Sequence, residues 1–444
     1  MTYFLKAIVV DSDNRTNLIN TESTKAYAWV KSEDHDSAIK KATFFIKKEG
    51  WRIIEWTQPI EVTRDMFLDR DLGLKHFDLS QSETCSILYV GVDNTIQEGE
   101  FRELETLYSF DKKEFYKKNK YIAQKKVCLH FNAGTDCNEI IKAHSIQNKN
   151  ALSAIARDGH VYRIDMNKLN KTNTIDYKLE GVNKASTFSG FCKNHDNSLF
   201  EPIDNRNLIP TKQQAFLYAY RSISKELFTK QQAIEGIQSM INSATGNEAV
   251  TEHLNGMLKS FQYGTEQLEL NKKLYDKSLE AALFDDIRYV AFIFNEKPTA
   301  VFSGLIYPDY DFQGRKIQDL GKHANLSLMT FCSAPTNDGW AFIFSWHKSS
   351  DSACSAFMYS LQEVMRAGKQ LEDYLFQLMI LNCENHALSP SWWDGLSQPE
   401  AKVLCSMMEK QADIFSEVKN DYLATPLKGI VQWELRGVYD SHQT

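Results

Sequence analysis

Between Pro210 and Pro298 the chain contains no proline, and apolar residues recur there every three or four positions. Phe216, Tyr220, Ile223 and Leu227 form one such series, and Val250, Leu254, Leu258, Phe261 and Leu268 continue it towards Leu283. That period is helical, and no proline interrupts it, although the series resumes only beyond Gly246. TKQQAFLYAYRSISKELF opens with Thr211 and Gln214 at capping-box spacing, so the predicted helix starts there. Two or three long helices, paired as a hairpin, are expected over 205–284. Their apolar face must be covered, either by a second copy of the chain, a homodimer, or another protein partner, or by the domains on either side.

The hairpin divides a multidomain chain of α+β class. Residues 1–100 read as a small α+β domain. YFLKAIVV, KAYAWVK, WRIIEWT and CSILYVGV are strand-like, and Ala38, Ala42, Phe45 and Ile46 mark a helix stopped by Gly50. Its helices are expected on one face of the sheet. Residues 285–444 read as a C-terminal mixed α+β domain, in which RYVAFIF, TAVFSGLIY, LSLMTFC and WAFIFSW alternate with turn-rich stretches before helical segments follow. The N-terminal domain holds no glycine-rich phosphate loop and no nucleophile elbow, and reads as a sensor or docking domain.

No run of apolar residues is long enough to span a bilayer, and MTYFLKAIVVDSDNRTN lacks a cleavable leader pattern, so a cytoplasmic location with no membrane partner is expected. The chain has eight cysteines in 444 residues, too sparse for a disulfide scaffold, which favours reduced thiols or metal ligation. Cys332, Cys354, Cys383 and Cys405 stand in apolar surroundings and read as small core residues.

Net charge is −7, yet residues 111–171 hold thirteen Lys and Arg against six Asp and Glu. A contact with nucleic acid would be local to that segment, with Lys117, Lys118, Lys125 and Lys126 its densest cations. A solvated lysine-rich face is the plain alternative.

The same segment carries the metal candidates. Cys192 and His195 stand three apart at a helix start, where both side chains share a face. Two further ligands are available in VCLHFNAGTDCNEI: Cys128 and Cys137 flank the turn-prone Asn-Ala-Gly-Thr-Asp run, which would fold back as a knuckle. A Cys3His zinc site of these four would close a lobe with little apolar content of its own. His130 is an alternative to Cys128, and unrelated buried thiols are the reading without metal. His160 in ARDGHVYRI reads as local structure. In CENHALSPSWWDGL, Trp392 and Trp393 read as loop anchors, though an exposed pair would stack on bases.

CNEIIKAHSIQ followed by FCKNHD resembles the treble-clef arrangement of HNH-type nucleases, and is similar to a group of bacterial proteins with AHSI followed by ASTFxGFCxxHD. The likeness covers about 128–204 and implies an HNH-like zinc module over 101–204. It implies His144 as general base, a divalent Mg or Mn ion, phosphodiester hydrolysis, and a part in defence against phage; in an enzyme of this kind Asp196, a nearby substitute that does not match the family's position, would help hold the divalent ion. Ala143 stands where active members commonly carry an aspartate, and Leu199 stands one turn beyond His195 where they carry histidine or asparagine. A zinc with four protein ligands has no open position, so a purely structural module in a sensor or protein-interaction component is the competing expectation.

Overall fold

The computed structural model describes residues 1–11, 24–57, 59–68, 71–90, 125–166, 175–243, 248–321, 325–412 and 419–441. Backbone contacts divide the chain into two units, Met1–Ala123 with Gln232–Gln262 and Gln124–Gln231 with Tyr263–Thr444. This division differs from the boundaries at 100, 204 and 284 read from texture. The reason is that long helices and late strand pairings join segments that are far apart in sequence.

The first unit is an antiparallel sheet of β1 (Thr2–Asp11), β2 (Thr24–Lys31), β3 (Trp51–Trp56), β4 (Ile60–Val62) and β5 (Cys85–Val90), ordered β3-β1-β2-β5 with β4 also on β1. Helix α1 (His35–Lys48) begins at Asp34, whose Oδ1 accepts the Ser37 N–H at 2.7 Å, and buries Ala38, Ala42 and Ile46. α1 covers Tyr3, Leu5, Ala28 and Val30. The opposite face, Phe4, Tyr27 and Trp29, packs on Phe67 and on Phe77 of α2 (Asp71–Glu83). Helices therefore lie on both faces rather than one, which is why YFLKAIVV is apolar almost throughout instead of alternating.

In the second unit β6 (Ile140–His144) pairs with β9 (Thr187–Cys192), which runs into α3 (Lys193–Asp204). Between them lie β7 (His160–Ile164) and β8 (Tyr177–Gly181). The first part of α4 (Lys212–Ser243) and the last part of α5 (Glu248–Glu280) follow, their Gln232–Gln262 portion being counted in the first unit, then β10 (Ile287–Phe294), β11 (Ala300–Ile306), β12 (Met329–Pro335), β13 (Trp340–His347), α6 (Asp351–Arg366), α7 (Leu371–Asn382), β14 (His386–Leu388), α8 (Gln398–Ala412) and β15 (Leu435–Asp440). Eight strands make one antiparallel sheet, β15-β10-β13-β12-β11-β14-β7-β8. β7 and β8 thus extend the C-terminal sheet from inside 101–204, through the pairing of Leu388 with Tyr162.

Strand alternation sends Phe292, Phe331, Phe342 and Phe344 into one layer with Phe357, Leu361, Leu375 and Phe376 of α6 and α7. It sends Tyr289, Ala291, Cys332 and Ile343 into the other, with Phe216, Tyr220, Ile223 and Leu227 of α4 and Leu268 and Tyr275 of α5. Within this unit the apolar helical face expected to seek a partner is buried on the chain's own sheet. Thr211 Oγ1 accepts the Gln214 N–H at 3.2 Å as a capping box requires, but Gln214 Oε1 accepts the Ile209 N–H at 2.9 Å instead of closing the reciprocal bond. Among the described residues no helix is long and apolar enough to cross a membrane.

Candidate metal centre

The knuckle is built by backbone bonds. Val127 N–H and Leu129 N–H donate to Ser189 and Gly190 of β9 at 3.1 and 2.9 Å, which fixes Cys128 between them. The chain then turns through His130–Ala133 and Asn132–Thr135 bonds, with Gly134 at φ +95° and Asp136 at φ +54°. Glycine adopts the left-handed region without penalty and Asp tolerates it better than most residues, so the turn composition read from the sequence has a conformational cause. Asn194 Nδ2 donates to the Asp136 carbonyl at 3.1 Å and ties the returning limb to the first turn of α3.

Cys128, Cys137, Cys192 and His195 meet at one point, their ligand atoms all within 4.8 Å of one another. The three Sγ atoms lie 3.4, 3.5 and 3.4 Å from His195 Nδ1. One ring nitrogen has a single proton or a single lone pair, so it cannot hydrogen-bond to three thiols at once. A tetrahedral ion with zinc's bond lengths would give S···N edges of about 3.5–3.6 Å, close to what is seen. Sulfur-rich donors suit zinc and not magnesium or manganese. The four residues can therefore hold a metal ion, and His130 is not among them.

Backbone amides already donate to these sulfurs, among them Gly134 N–H to Cys137 at 3.3 Å and His195 N–H to Cys192, the N-cap of α3, at 3.4 Å. Burial opposes ionisation of Cys192, but the backbone bonds from His195 and Asn138 hold its thiol below the usual range. Burial pushes the Cys128 thiol up to about 11, so a metal must displace its proton.

His130 stacks on the ligand His195, ring centroids 4.0 Å apart and 7° from parallel. Burial, then the neighbouring His195 and Lys272, push His130 down to about 4, so it is neutral against that ring. The carbonyl of Leu129, next to ligand Cys128, accepts from Lys272 Nζ at 2.8 Å. Lys272 also donates to Asp276 at 2.5 Å and to the Tyr220 hydroxyl at 2.8 Å, and Tyr220 in turn donates to Asp276 at 2.7 Å. This clamp from α4 and α5 was not legible in the sequence, because its members are remote from the knuckle and read as ordinary helix residues.

His144 ends β6 outside the ligand cluster, half-buried, its Nε2 3.1 Å from the Val182 carbonyl. Burial holds its imidazole below the usual value. Asp196 is 9 % exposed in the first turn of α3, and its Oδ1 has no partner among the described residues. Burial pushes its carboxyl up to about 6, against the attraction of Arg221. No hydrogen bond joins His144 to Asp196. Arg221, 2 % exposed, is instead bound by both oxygens of Asp204 at 2.7 and 2.6 Å and lies over the Phe200 ring. Lys125 and Lys126 are exposed just before the knuckle, whereas Lys117 and Lys118 lie outside the described residues.

The remaining candidates fall into the core or its edge. His160 Nδ1 bonds the Asp158 carbonyl at 2.8 Å. Trp392 donates to the Ile430 carbonyl at 3.2 Å, and Trp393 packs 4.5 Å from the Tyr177 ring. Cys332, Cys354 and Cys383 are buried, with Cys405 half-buried. No family model, curated protein or solved structure matches this chain. Its class thus rests on geometry: an α+β chain with a Cys3His cluster where the two-stranded β6–β9 sheet meets a helix.

Proposed function

We propose that this protein is a cytoplasmic nucleic-acid-binding protein whose HNH-like module is stapled by a structural zinc ion. The observation that carries the reading is the convergence of three Sγ atoms on His195 Nδ1 at the edge length of a tetrahedral ion. Four protein ligands leave no coordination position for substrate, so the ion's work is to hold the knuckle against α3. The basic run ending at Lys125 and Lys126 supplies the phosphate contacts.

Elemental mass spectrometry should find one zinc per chain in the wild type and none in Cys192→Ala. Binding to DNA or RNA should fall steeply with salt, and replacing Lys117, Lys118, Lys125 and Lys126 with glutamine should weaken it and lower the salt slope by up to about four. Absence of binding at low salt would reduce the basic run to a solvated face.

A second reading, phosphodiester cleavage, is favoured by the unpartnered buried Oδ1 of Asp196 and the imidazole of His144, which burial keeps neutral. His144 would take the proton from water, and Asp196 would help hold a Mg or Mn ion distinct from the zinc. Metal-dependent cleavage that survives His144→Ala in folded protein would remove that assignment.

A further inference from the structure

The eight-stranded sheet ends at one side on β15, which among the described residues pairs with β10 alone. Its outer side therefore carries backbone N–H and C=O groups with no strand against them. In an antiparallel pair the backbone groups of successive residues point to opposite sides. Ser441 N–H donates inward, to the Tyr289 carbonyl at 3.0 Å, so by alternation Tyr439 and Gly437 bond inward while Asp440 and Val438 turn their groups outward. The side chains here are not those with which natural edges prevent pairing. LRGVYD holds no lysine and no proline, and Val438 and Tyr439 are 45 % and 50 % exposed. At the far edge, β8, the charges are spent inside the chain instead: Lys178 donates to Asp165 at 2.7 Å, and Glu180 lies 3.9 Å from Arg163.

The order of residues on β15 is complementary to itself. Antiparallel pairing about a two-fold axis at Val438 sets Val438 opposite its own copy, Gly437 opposite Tyr439 and Arg436 opposite Asp440, the last two pairs each occurring twice. The same register brings outward backbone groups against outward ones, which a shift by one residue would not. Arg436 and Asp440 carry opposite signs, whereas a strand with like charges at these two positions would repel its copy. Gly437 offers room: apart from its chain neighbours, no atom lies within 4 Å of where its Cβ would stand, so the ring of Tyr439 from a second copy can lie across it. Arg436 is 3.6 Å from Asp338, both more than half exposed, and its guanidinium has five donors, enough for a second carboxylate. The register shift between Ile293 and Phe294 is a bulge at the Arg436 end, which bends the edge and keeps regular pairing short.

We infer that β15 is a homodimerisation edge, on which a second copy of this chain pairs antiparallel about Val438 and joins the two sheets into one. The occupant is a second copy and not an unrelated strand because the charge order along β15 matches its own reverse. None of these residues belongs to the Cys3His cluster, so the edge and the zinc reading can fail separately.

Sedimentation velocity on the metal-loaded full chain tests this. The wild type should pass from the 51.1 kDa chain to twice that mass as concentration rises through about 1–100 μM, the range a short interface allows. Arg436→Asp sets two carboxylates against each other at both ends of the pairing and should weaken the dimer by about tenfold or more. Asp440→Arg should do the same with two cations, and the two changes together should restore it. Val438→Pro removes an outward N–H, which an edge strand tolerates, and should leave a folded monomer. Should proline disturb the strand, the charge exchange decides alone, since Arg436 is exposed and Asp440 partly so. A wild type still monomeric at about 100 μM, a dimer that neither single reversal weakens, or a weakening that the double exchange fails to reverse in folded protein would overturn the assignment.

Discussion

The Cys3His lobe and the eight-stranded sheet belong to one unit and are held by opposite means. In the sheet, Phe302, Phe331, Phe342 and Phe344 are all buried, with ring centroids 4.6 to 6.4 Å apart. Such a core needs no ligand, because removal of apolar surface from water stabilises it directly. In the knuckle, Val127 and Phe131 are 39 % and 38 % exposed, and the turn from Phe131 to Glu139 is exposed throughout. Cys137, in that exposed turn, thus rests on little packing, whereas Cys128 is half-buried against the core and Cys192 joins a strand that carries the buried Phe188 and Phe191. The lesson is that the lobe is unevenly anchored: the core and β9 place Cys128, Cys192 and His195, and a bound ion would draw the exposed turn of Cys137 to them.

The strongest way to break this comparison is to remove the ion. Structural zinc in small peptides contributes about 10–16 kcal/mol of apparent binding free energy, nearly all of it folding. Cys192→Ala or chelation is expected to abolish hydrogen-exchange protection from Val127 to Glu139 while the amides of β12 and β13 keep theirs. A sheet that loses protection together with the knuckle would show that the two are one cooperative element. The converse change is Phe342→Ala, which empties a site between Phe302 and Phe344. It should cost roughly 3–5 kcal/mol in chemical denaturation and leave the metal content unchanged.

How far the sequence carried these two regions differs for the same reason. The four residues that could hold a metal were legible because metal chemistry restricts residue type and spacing within short segments, and turn residues such as Gly134 and Asp136 announce the fold-back. The strands β10 to β13 were legible as apolar runs. The joining of β7 to β14 was not, since a single pairing of Tyr162 with Leu388 has no local signature. Arg221 and Asp204 were missed for a related cause: their ion pair spans two helices, and each looks like an ordinary surface charge in its own segment. Helix periodicity placed α4 and α5 well, but an apolar stripe does not say what covers it, and in this unit the chain's own sheet does.

Acid should separate the regions by mechanism. His386 is fully buried; its Nδ1–H donates to the Cys383 carbonyl, and its Nε2 accepts from the Tyr177 hydroxyl at 2.6 Å. Burial pushes its imidazole down to about 4, against roughly 6.5 in an unfolded chain. The unfolded chain therefore takes the proton first. The stability this histidine contributes is complete above pH 6.5 and is lost as pH falls towards 4, by roughly 3 kcal/mol at most. His386→Asn should flatten the pH dependence of sheet stability across that window. The pH at which metal is released from the Cys3His cluster should stay where it is; a release midpoint that moves with His386 would couple the two regions.

The smallest expected effect sharpens the comparison most, because it concerns the link between core and knuckle. Lys272 is 5 % exposed and fastens the Leu129 carbonyl, one residue from Cys128, to a network shared with Tyr220 and Asp276. Lys272→Met keeps the apolar stem but removes the donor, leaving that carbonyl and a quarter-exposed Asp276 without their cation. Because Asp276 retains access to water, the loss should be about 1–2 kcal/mol rather than the larger cost of a sealed pair. If the clamp acts on the knuckle, the cost will be seen as faster metal transfer to a chelator, with sheet exchange rates unchanged. If instead the sheet loosens and metal transfer does not quicken, Lys272 supports the packing of α4 on α5, and the knuckle depends on its ion alone.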